Sequence, residues 1–288
     1  MMQNEEVKTI TGHTNDVLSL LLLKDKRIAS CSSDKTIKIY NPFNDYHCEQ
    51  VIERNDGVIS ICQLDDGTIV SCLWDNSIMI GNYCIKNAHA SLINKVITLP
   101  NNRIASCSLD HKIKIWRSCP PYSDIPIKIL KGHCDDVKSL LNIKDIMISG
   151  SFDCTLRLWN MSTYQCITVI DGVDCCSTNL LYQIDKDRVI VGGEYTFSIV
   201  NIDKNVIEKT VIIDKSFRNV NCFLKLRDNH TIICGCKNDG KLYCYDMNTE
   251  EYKITKNIHE YGIQDLLLID DSTFLSCSID TTIKVRKY

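Results

Sequence analysis

The chain has 288 residues, of which 44% are hydrophobic, so it can bury a substantial core. Its 33 Lys and Arg residues against 36 Asp and Glu residues give a net charge of -3, which excludes an overall positive field for nucleic acid or an anionic membrane. The longest dense apolar run, 18–23, is far shorter than the roughly 20 residues that span a bilayer, and the acidic first ten residues are unlike a signal peptide. We therefore expect a protein of the cytoplasm or nucleus with no membrane partner.

Seven repeats of about 41 residues follow one another along the chain. They are marked by near-copies of one segment, such as ASCSSDKTIKIY at 29–40, ASCSLDHKIKIW at 105–116 and LSCSIDTTIKVR at 275–286. An aspartate marks the same point in six of the seven repeats. The approximate repeat bounds are 11–52, 53–87, 88–130, 131–170, 171–211, 212–255 and 256–288 together with 5–10.

Each repeat has the pattern of four short strands. The fourth repeat shows it well, with the apolar segments 137–143, 146–151, 155–160 and 164–170 separated by short polar gaps that are typical of tight turns. Four antiparallel strands repeated seven times predict an all-β chain that forms one seven-bladed β-propeller over residues 1–288.

The repeats resemble the WD-repeat β-propellers. The resemblance rests on Gly12-His13, Ala88-His89, Gly132-His133 and Ile258-His259, and on the strand ends IKIW at 113–116 and LRLW at 156–159. Each histidine precedes the marker aspartate of its repeat by 20 or 21 residues. The last repeat has only three strands, and the resemblance implies that residues 5–10 supply its fourth strand and close the ring.

The repeated Ser, His and Asp residues allow two hypotheses. Their residue types are those of a hydrolase triad, but four preorganised nucleophile sites in one chain are not expected. We therefore predict that none of these residues is catalytic and that the protein is not an enzyme. In the family these residues form a structural network, in which Asp binds turn amides and His, His meets Ser, and Ser meets an indole. The predicted network residues are His13, Ser30, Asp34, His89, Ser106, Asp110, Trp116, His133, Ser149, Asp153, Trp159, His259, Ser276 and Asp280.

Seventeen cysteines are present, without any Cys-x-x-Cys spacing for zinc or redox chemistry. Five of them lie three residues before the marker aspartate, at a strand position that should face the neighbouring blade: Cys31, Cys72, Cys107, Cys236 and Cys277. We interpret them as small packing groups and expect no metal and no cofactor. A thiol-dependent enzyme or metal binder that uses loop cysteines such as Cys175 and Cys176 is the alternative.

We call the end of the blades that carries the turns with the marker aspartates the top face. Function should lie in the loops of this face, because their positions are fixed while their side chains are free to vary. We predict a noncatalytic scaffold or adaptor that binds a peptide segment or partner domain through the top face and the rim of the central channel. It should act as a monomer within a larger complex, and the charge balance disfavours a nucleic-acid binder. The candidate partner-binding residues are Ser33, Trp74, Leu109, Phe152, Phe217, Arg218, Asn238, Tyr261 and Ile279.

Overall fold

The computed structural model describes residues 5–174, 181–213, 220–228, 230–255 and 257–288. Within these ranges the chain forms 28 strands, arranged as seven four-stranded sheets. The predicted all-β fold of seven four-stranded antiparallel blades is confirmed. No helix in the same ranges is long and apolar enough to cross a membrane.

The first compact unit, Met1–Val58 with Asp214–Tyr288, holds blades 1, 6 and 7. Blade 1 consists of β2 (Val17–Leu22), β3 (Ile28–Ser32), β4 (Thr36–Asn41) and β5 (His47–Glu53). Blade 6 consists of β22 (Val220–Lys225), β23 (Thr231–Cys236), β24 (Leu242–Asp246) and β25 (Tyr252–Ile254). Blade 7 consists of β26 (Ile263–Leu268), β27 (Thr273–Ser278), β28 (Ile283–Lys287) and the N-terminal β1 (Glu5–Ile10).

The second compact unit, Ile59–Ile213, holds blades 3, 4 and 5 and all of blade 2 except its first residue. Blade 2 is β6 (Val58–Gln63), β7 (Ile69–Leu73), β8 (Ile78–Ile80) and β9 (Tyr83–Ile85). Blade 3 is β10 (Ile93–Leu99), β11 (Arg103–Ser108), β12 (Ile113–Arg117) and β13 (Lys128–Leu130). Blade 4 is β14 (Val137–Ile143), β15 (Ile146–Ser151), β16 (Thr155–Asn160) and β17 (Cys166–Asp171). Blade 5 is β18 (Leu181–Gln183), β19 (Arg188–Gly192), β20 (Thr196–Asn201) and β21 (Val206–Ile212).

In blade 1 the second strand is the most buried and the outermost strand is the least buried. In blade 1 every residue of β3 is buried, whereas most of the outermost strand β5 is exposed. The buried strands pack against the next blade, as in the cluster that joins Cys107 of blade 3 to Val137 and Trp159 of blade 4. The apolar core therefore lies between neighbouring sheets, and it leaves the turns at both ends of each blade in solvent. We call the end that carries the turn between the second and third strands the upper end, and the opposite end the lower end.

The N-terminal strand completes blade 7, as the family resemblance implied. β1 pairs antiparallel with β28, with Ile10 opposite Ile283. Ile10 is buried in a cluster that includes Val17 of blade 1 and Val285 of β28. At the other end of the strand the Glu6 carboxylate lies 3.0 Å from Lys284 Nζ. The chain start is thus held to the chain end by a strand pair, an apolar contact and an ion pair.

Ile10→Ala should lower the melting temperature much more than Val7→Ala. Ile10 is buried and Val7 on the same strand is exposed. Truncation of a buried isoleucine costs about 2–5 kcal/mol, whereas exposed substitutions change stability by about 0.5 kcal/mol or less. In a chain of this size the first loss should lower the melting temperature by roughly 4 °C or more. Calorimetry on both variants is the measurement, and equal melting temperatures would contradict the role given to β1.

Candidate functional site

A chain of buried hydrogen bonds lies at the upper end of blade 3. Trp116 Nε1–H donates to Ser106 Oγ at 2.8 Å, and Ser106 Oγ lies 2.8 Å from His89 Nε2. His89 Nδ1 lies 2.9 Å from Asp110 Oδ2. Since an ionised carboxylate only accepts, Nδ1 carries the hydrogen, and Nε2 of the neutral ring accepts from the Ser106 hydroxyl. The direction of every hydrogen bond is therefore fixed from the indole to the carboxylate.

Three other blades carry the same arrangement of His, Ser and Asp, which we call a polar clamp. In blade 1, His13 lies 2.7 Å from Ser30 and 2.7 Å from Asp34. In blade 4, His133 lies 2.7 Å from Ser149 and 2.8 Å from Asp153. In blade 7, His259 lies 2.8 Å from Ser276 and 2.8 Å from Asp280.

The residue beyond the serine differs between the clamps. In blade 4, Trp159 Nε1 donates to Ser149 Oγ at 2.9 Å, as Trp116 does in blade 3. In blade 1 the buried Tyr40 takes the position of the indole and forms a hydrogen bond with Ser30. In blade 7 the equivalent position holds Arg286, whose guanidinium lies 3.5 Å from Glu6 of β1. Two clamps therefore end in an indole, one in a phenol and one without an aromatic donor.

The clamp carboxylate joins two separate stretches of backbone. In blade 4, Asp153 accepts from the amide of Cys134 in the loop that enters the blade, at 3.1 Å. It also accepts from the amide and the hydroxyl of Thr155 in its own turn, at 3.1 and 2.7 Å. Together with the bond from His133, these contacts fix the upper turn of the blade to the preceding loop.

Burial and hydrogen bonding set the charges within the clamps. Burial alone would raise the pKa of Asp34, Asp110 and Asp153, but the hydrogen bonds that they accept outweigh it and lower each pKa to about 2. Burial lowers the pKa of the clamp histidines, although the neighbouring Asp works against it: His13, His89 and His133. At neutral pH each of these three clamps thus pairs a charged carboxylate with a neutral imidazole.

The clamp geometry gives the hydroxyl no access to a substrate. The four clamp serines are completely buried within their sheets: Ser30, Ser106, Ser149 and Ser276. A hydrolase nucleophile must reach a carbonyl carbon and stand beside donors for the developing oxyanion. The clamp serines already use their hydroxyl groups in bonds that hold the blade together, so the arrangement acts as a structural support.

Blade 5 replaces the clamp with a residue that sequence reasoning missed. Its repeat lacks both the histidine and the marker aspartate, yet Asp174 of the entering loop accepts from the amide of Glu194 at 2.9 Å and from the Thr196 hydroxyl at 3.3 Å. The carboxylate thus comes from the loop and binds the turn directly. The signal in the sequence is an aspartate about 20 residues before the turn, at the place where other repeats have histidine.

The cysteine before the upper turn packs against the next blade in the second unit. Cys72 is buried, and its Sγ lies 3.7 Å from the Ser60 carbonyl oxygen of its own blade and 3.9 Å from the Ile93 carbonyl oxygen of blade 3. Burial raises the pKa of the Cys72 thiol to about 12. A protonated, enclosed thiol of this kind packs as a small apolar group.

The assignment of Cys236 to the same position was wrong. In blade 3, Cys107 lies opposite Ile113, whereas in blade 6 Gly235 lies opposite Leu242. The turn of blade 6 is therefore one residue longer, which moves its marker aspartate one step further along the chain. Gly235 takes the packing position, where an added Cβ would lie only 2.8 Å from an Ile263 side-chain atom of blade 7.

The remaining cysteines give no paired site among the described residues. Every cysteine that the structure describes is a free thiol, and Cys134, Cys154 and Cys166 are exposed. Cys175 and Cys176, the residues named for the alternative thiol chemistry, lie outside the described residues. The described cysteines therefore form no disulfide among themselves.

Two aromatic side chains are exposed on the upper turns of the second unit. Trp74 follows β7 and is 50% exposed, and Phe152 follows β15 and is 38% exposed. Leu109, at the corresponding place in blade 3, is partly buried. Lys138 places its Nζ 4.2 Å from the centre of the Phe152 ring and 3.1 Å from Asp136 Oδ2. The second unit thus presents two aromatic side chains and a cation held by a carboxylate.

The candidate residues of the first unit have mixed environments. Tyr261 is 53% exposed and Asn238 is exposed, whereas Ile279 is partly buried. Ser33 is also partly buried, and among the described residues its enclosed hydroxyl oxygen has no hydrogen-bond partner. Phe217 and Arg218, a predicted aromatic and cationic pair, lie outside the described residues.

One group of side chains has ligand atoms close enough to hold a metal ion. His111, Asp135 and Asp136 bring one ligand atom each within 4.8 Å of one another at the upper end of the second unit. The ammonium group of Lys138 already lies beside Asp136 and supplies a positive charge there. The ion pair therefore accounts for Asp136, and the expectation that no metal is needed stays a prediction.

Comparisons with known proteins agree with the fold. The family model described as "WD domain, G-beta repeat" matches residues 4–41, 82–117 and 124–160. The crystal structure of the WD40 beta propeller domain of Doa1 superposes with a TM-score of 0.80 at 15% identity, over 100% of this chain and 98% of that chain. The three matched segments are WD repeats, and the fold is a seven-bladed β-propeller like that of the matched WD40 domain.

Named relatives match parts of longer proteins. WD repeat-containing protein pop2 of Schizosaccharomyces pombe is 27% identical over 209 residues, which are 59% of this chain and 29% of that protein. Cell division control protein 4 of Saccharomyces cerevisiae is 22% identical over 211 residues, 63% of this chain and 27% of that protein. Ribosome biogenesis protein YTM1 of Eremothecium gossypii is 20% identical over 286 residues, 90% of this chain and 62% of that protein. The chain thus spans less than a third of the first two proteins.

Acid should destabilise the protein in two stages because of the clamps. The clamp histidines of blades 1, 3 and 4 have pKa values below the usual 6.5, so the unfolded chain binds protons first and stability falls as the pH drops below about 6.5. The clamp aspartates of the same three blades have pKa values of about 2 against the usual 3.8, so their contribution is lost between about pH 4 and pH 2.

Urea midpoints measured from pH 7.5 to pH 3 test this prediction. His89→Gln should weaken the first fall, whereas His111→Gln, which removes an exposed imidazole of the same blade, should leave it unchanged. A urea midpoint that stays constant between pH 7.5 and pH 5 would contradict the neutral, buried histidines.

Proposed function

We propose that the protein is a noncatalytic scaffold that binds a peptide segment or a partner domain through its upper turns. The observation that carries the proposal is the exposure of Trp74 and Phe152 on turns of the second unit. Large aromatic side chains at the centre of an interface commonly supply most of its binding free energy. Leu109 of the intervening blade would add a smaller apolar contact.

Rigid turns support this role. The Asp75 carboxylate after Trp74 accepts from the amide and the hydroxyl of Ser77, at 3.0 and 2.5 Å. Phe152 precedes the clamp residue Asp153, and its own amide donates to the Asp136 carbonyl oxygen at 3.0 Å. A partner that binds these aromatic side chains therefore orders little backbone, which lowers the entropic cost of association.

The charged groups around Phe152 favour a partner with an apolar anchor beside polar backbone groups. Lys138 lies against the ring and is neutralised by Asp136, so one face of the ring is occupied within the protein. The exposed part of Phe152 remains for an aliphatic or aromatic side chain of the partner. Asp135 next to it is exposed and can accept from a peptide amide or a basic side chain.

The first unit would contribute a separate contact surface. Tyr261 combines an exposed ring with a phenolic hydroxyl, and Asn238 offers an exposed amide. Ser33 and Ile279 would have only marginal roles because both are partly buried. Phe217 and Arg218 belong to the proposal on the evidence of the sequence alone.

The exposed aromatic side chains of the upper turns support a protein or peptide partner. The relatives carry names from cell division control and ribosome biogenesis, so the proposal is limited to a protein partner. We also propose that the protein works in a reducing compartment, the cytoplasm or nucleus, because it presents the free exposed thiols Cys134, Cys154 and Cys166.

Loss of both aromatic side chains should abolish partner binding. Trp74→Ala combined with Phe152→Ala should remove specific partners in quantitative affinity purification, since each anchor typically contributes about 2 kcal/mol or more to binding. Phe43→Ala is the matched control because Phe43 is 82% exposed on the lower turn between β4 and β5. Equal recovery of every co-purified protein with the double variant, the control and the unchanged chain would overturn the proposal.

A further inference from the structure

A cavity of about 360 Å³ opens at the lower end of the second unit. It lies between the turn that joins β6 to β7, the turn that joins β10 to β11, and the last part of β14. Its polar lining includes Asp65, Asn102, Arg103, Ser118 and Asn142. Because β7, β11 and β15 separate the lower turns from the upper turns, this cavity is distinct from the surface of the proposed function.

Arg103 is a cation without a carboxylate partner among the described residues. Arginines at the same place in other blades are neutralised by their own turn, since Arg27 lies 2.7 Å from Asp25 and Arg188 lies 2.7 Å from Asp185. The turn before Arg103 has Asn101 and Asn102 in place of such an aspartate. Arg103 therefore brings a positive charge to the cavity lining without an ion pair to a described carboxylate.

Hydrogen bonds hold the Arg103 guanidinium in one orientation. Nε donates to the Pro100 carbonyl oxygen at 2.9 Å, and Nη1 lies 3.1 Å from the Met161 carbonyl oxygen and 2.7 Å from the Tyr164 hydroxyl. These bonds use three of the five N–H groups of an arginine. The two N–H groups of Nη2 remain available to donate to a ligand, and the side chain that carries them is already fixed in place.

Two further polar groups of the lining have no partner among the described residues. Ser118 is 4% exposed, and its hydroxyl forms no hydrogen bond there. Asn142 donates through Nδ2 to the Lys144 carbonyl oxygen at 3.2 Å, while its Oδ1 is buried and unpaired. The buried Oδ1 of Asn142 costs about 1–3 kcal/mol when it is left unsatisfied in the interior. The cavity therefore combines available donors on Arg103 and Ser118 with an available acceptor on Asn142.

We propose that this cavity binds a carboxylate of an acidic peptide. The carboxylate would accept from Arg103 Nη2 and the Ser118 hydroxyl, and a peptide N–H would donate to Asn142 Oδ1. The volume is at the lower end of the range for ligand sites and fits one acidic residue with its neighbouring peptide groups. The carboxylate can come from an Asp or Glu side chain or from a chain end.

A singly charged carboxylate fits this lining better than a phosphate group. One guanidinium supplies the positive charge, and the exposed Asp65 at the rim adds a negative charge. A phosphate group carries nearly twice the charge of a carboxylate at neutral pH, so Asp65 repels it more strongly.

NMR titration of the full chain tests the site with small probes. N-acetylglutamate N-methylamide has only a side-chain carboxylate, N-acetylalanine has only a terminal carboxylate, and N-acetylglutamine N-methylamide has neither. We expect one or both carboxylate probes to shift the Arg103 side-chain N–H and Asn142 side-chain amide signals. The probe that binds more tightly shows whether the bound carboxylate belongs to a side chain or to a chain end. The neutral probe should bind at least about tenfold more weakly, because it lacks the charge that Arg103 compensates.

Variants separate the site from general effects of charge. Asn142→Asp should weaken binding of the carboxylate probe about tenfold through repulsion. Gln183→Glu is the matched control, because Gln183 donates to the Asp185 carbonyl oxygen of its turn just as Asn142 donates to Lys144, and it lies outside the cavity lining. Ser118→Ala should keep the melting temperature and weaken binding roughly three- to tenfold.

Three results would overturn the proposal. They are the absence of any shift at Arg103 and Asn142 with both carboxylate probes, tighter binding of inorganic phosphate than of either probe, and equal effects of Asn142→Asp and Gln183→Glu. None of them bears on the upper turns, since the Trp74 and Phe152 variants are measured separately.

Discussion

The blades depend on buried polar chains that must be complete. In blade 3 the hydrogen bonds from Trp116 through Ser106 and His89 end at the charged carboxylate of Asp110. Each group lies where water cannot replace a lost partner, so removal of one member leaves its neighbour unsatisfied at a cost of about 1–3 kcal/mol. The chain therefore fixes the upper turn, the entering loop and the sheet relative to one another.

The clamps leave the surface of the turns free to vary. Trp74 and Phe152 project from turns that backbone and carboxylate contacts hold in place. The side chains of the lower turns also differ between blades. Arg27 and Arg188 form ion pairs within their own turns, whereas Arg103 donates to carbonyl and hydroxyl groups and lines a cavity. A repeated framework thus carries both of the recognition surfaces that we propose for the second unit.

Sequence patterns predicted the parts of the structure that repeat at fixed spacing. The distance of 20 or 21 residues between His and Asp identified the four histidines and their carboxylates, and the missing strand of the last repeat indicated the place of β1. Patterns failed where one residue changed the register, because the longer turn of blade 6 put Gly235 where Cys236 was expected. The cavity could not be predicted, since Arg103, Ser118 and Asn142 meet only after three turns fold together.

The most direct test compares Ser106→Ala with Ser276→Ala by chemical denaturation. Both serines are completely buried and bind a clamp histidine, but only Ser106 also accepts from an indole. Ser106→Ala leaves both the Trp116 N–H and His89 Nε2 without their partner, whereas no indole loses its partner in Ser276→Ala, so the first variant should lose about 1–3 kcal/mol more of the free energy of unfolding. Equal losses, or losses below about 0.5 kcal/mol in both variants, would contradict the claim that the polar chains hold the blades together.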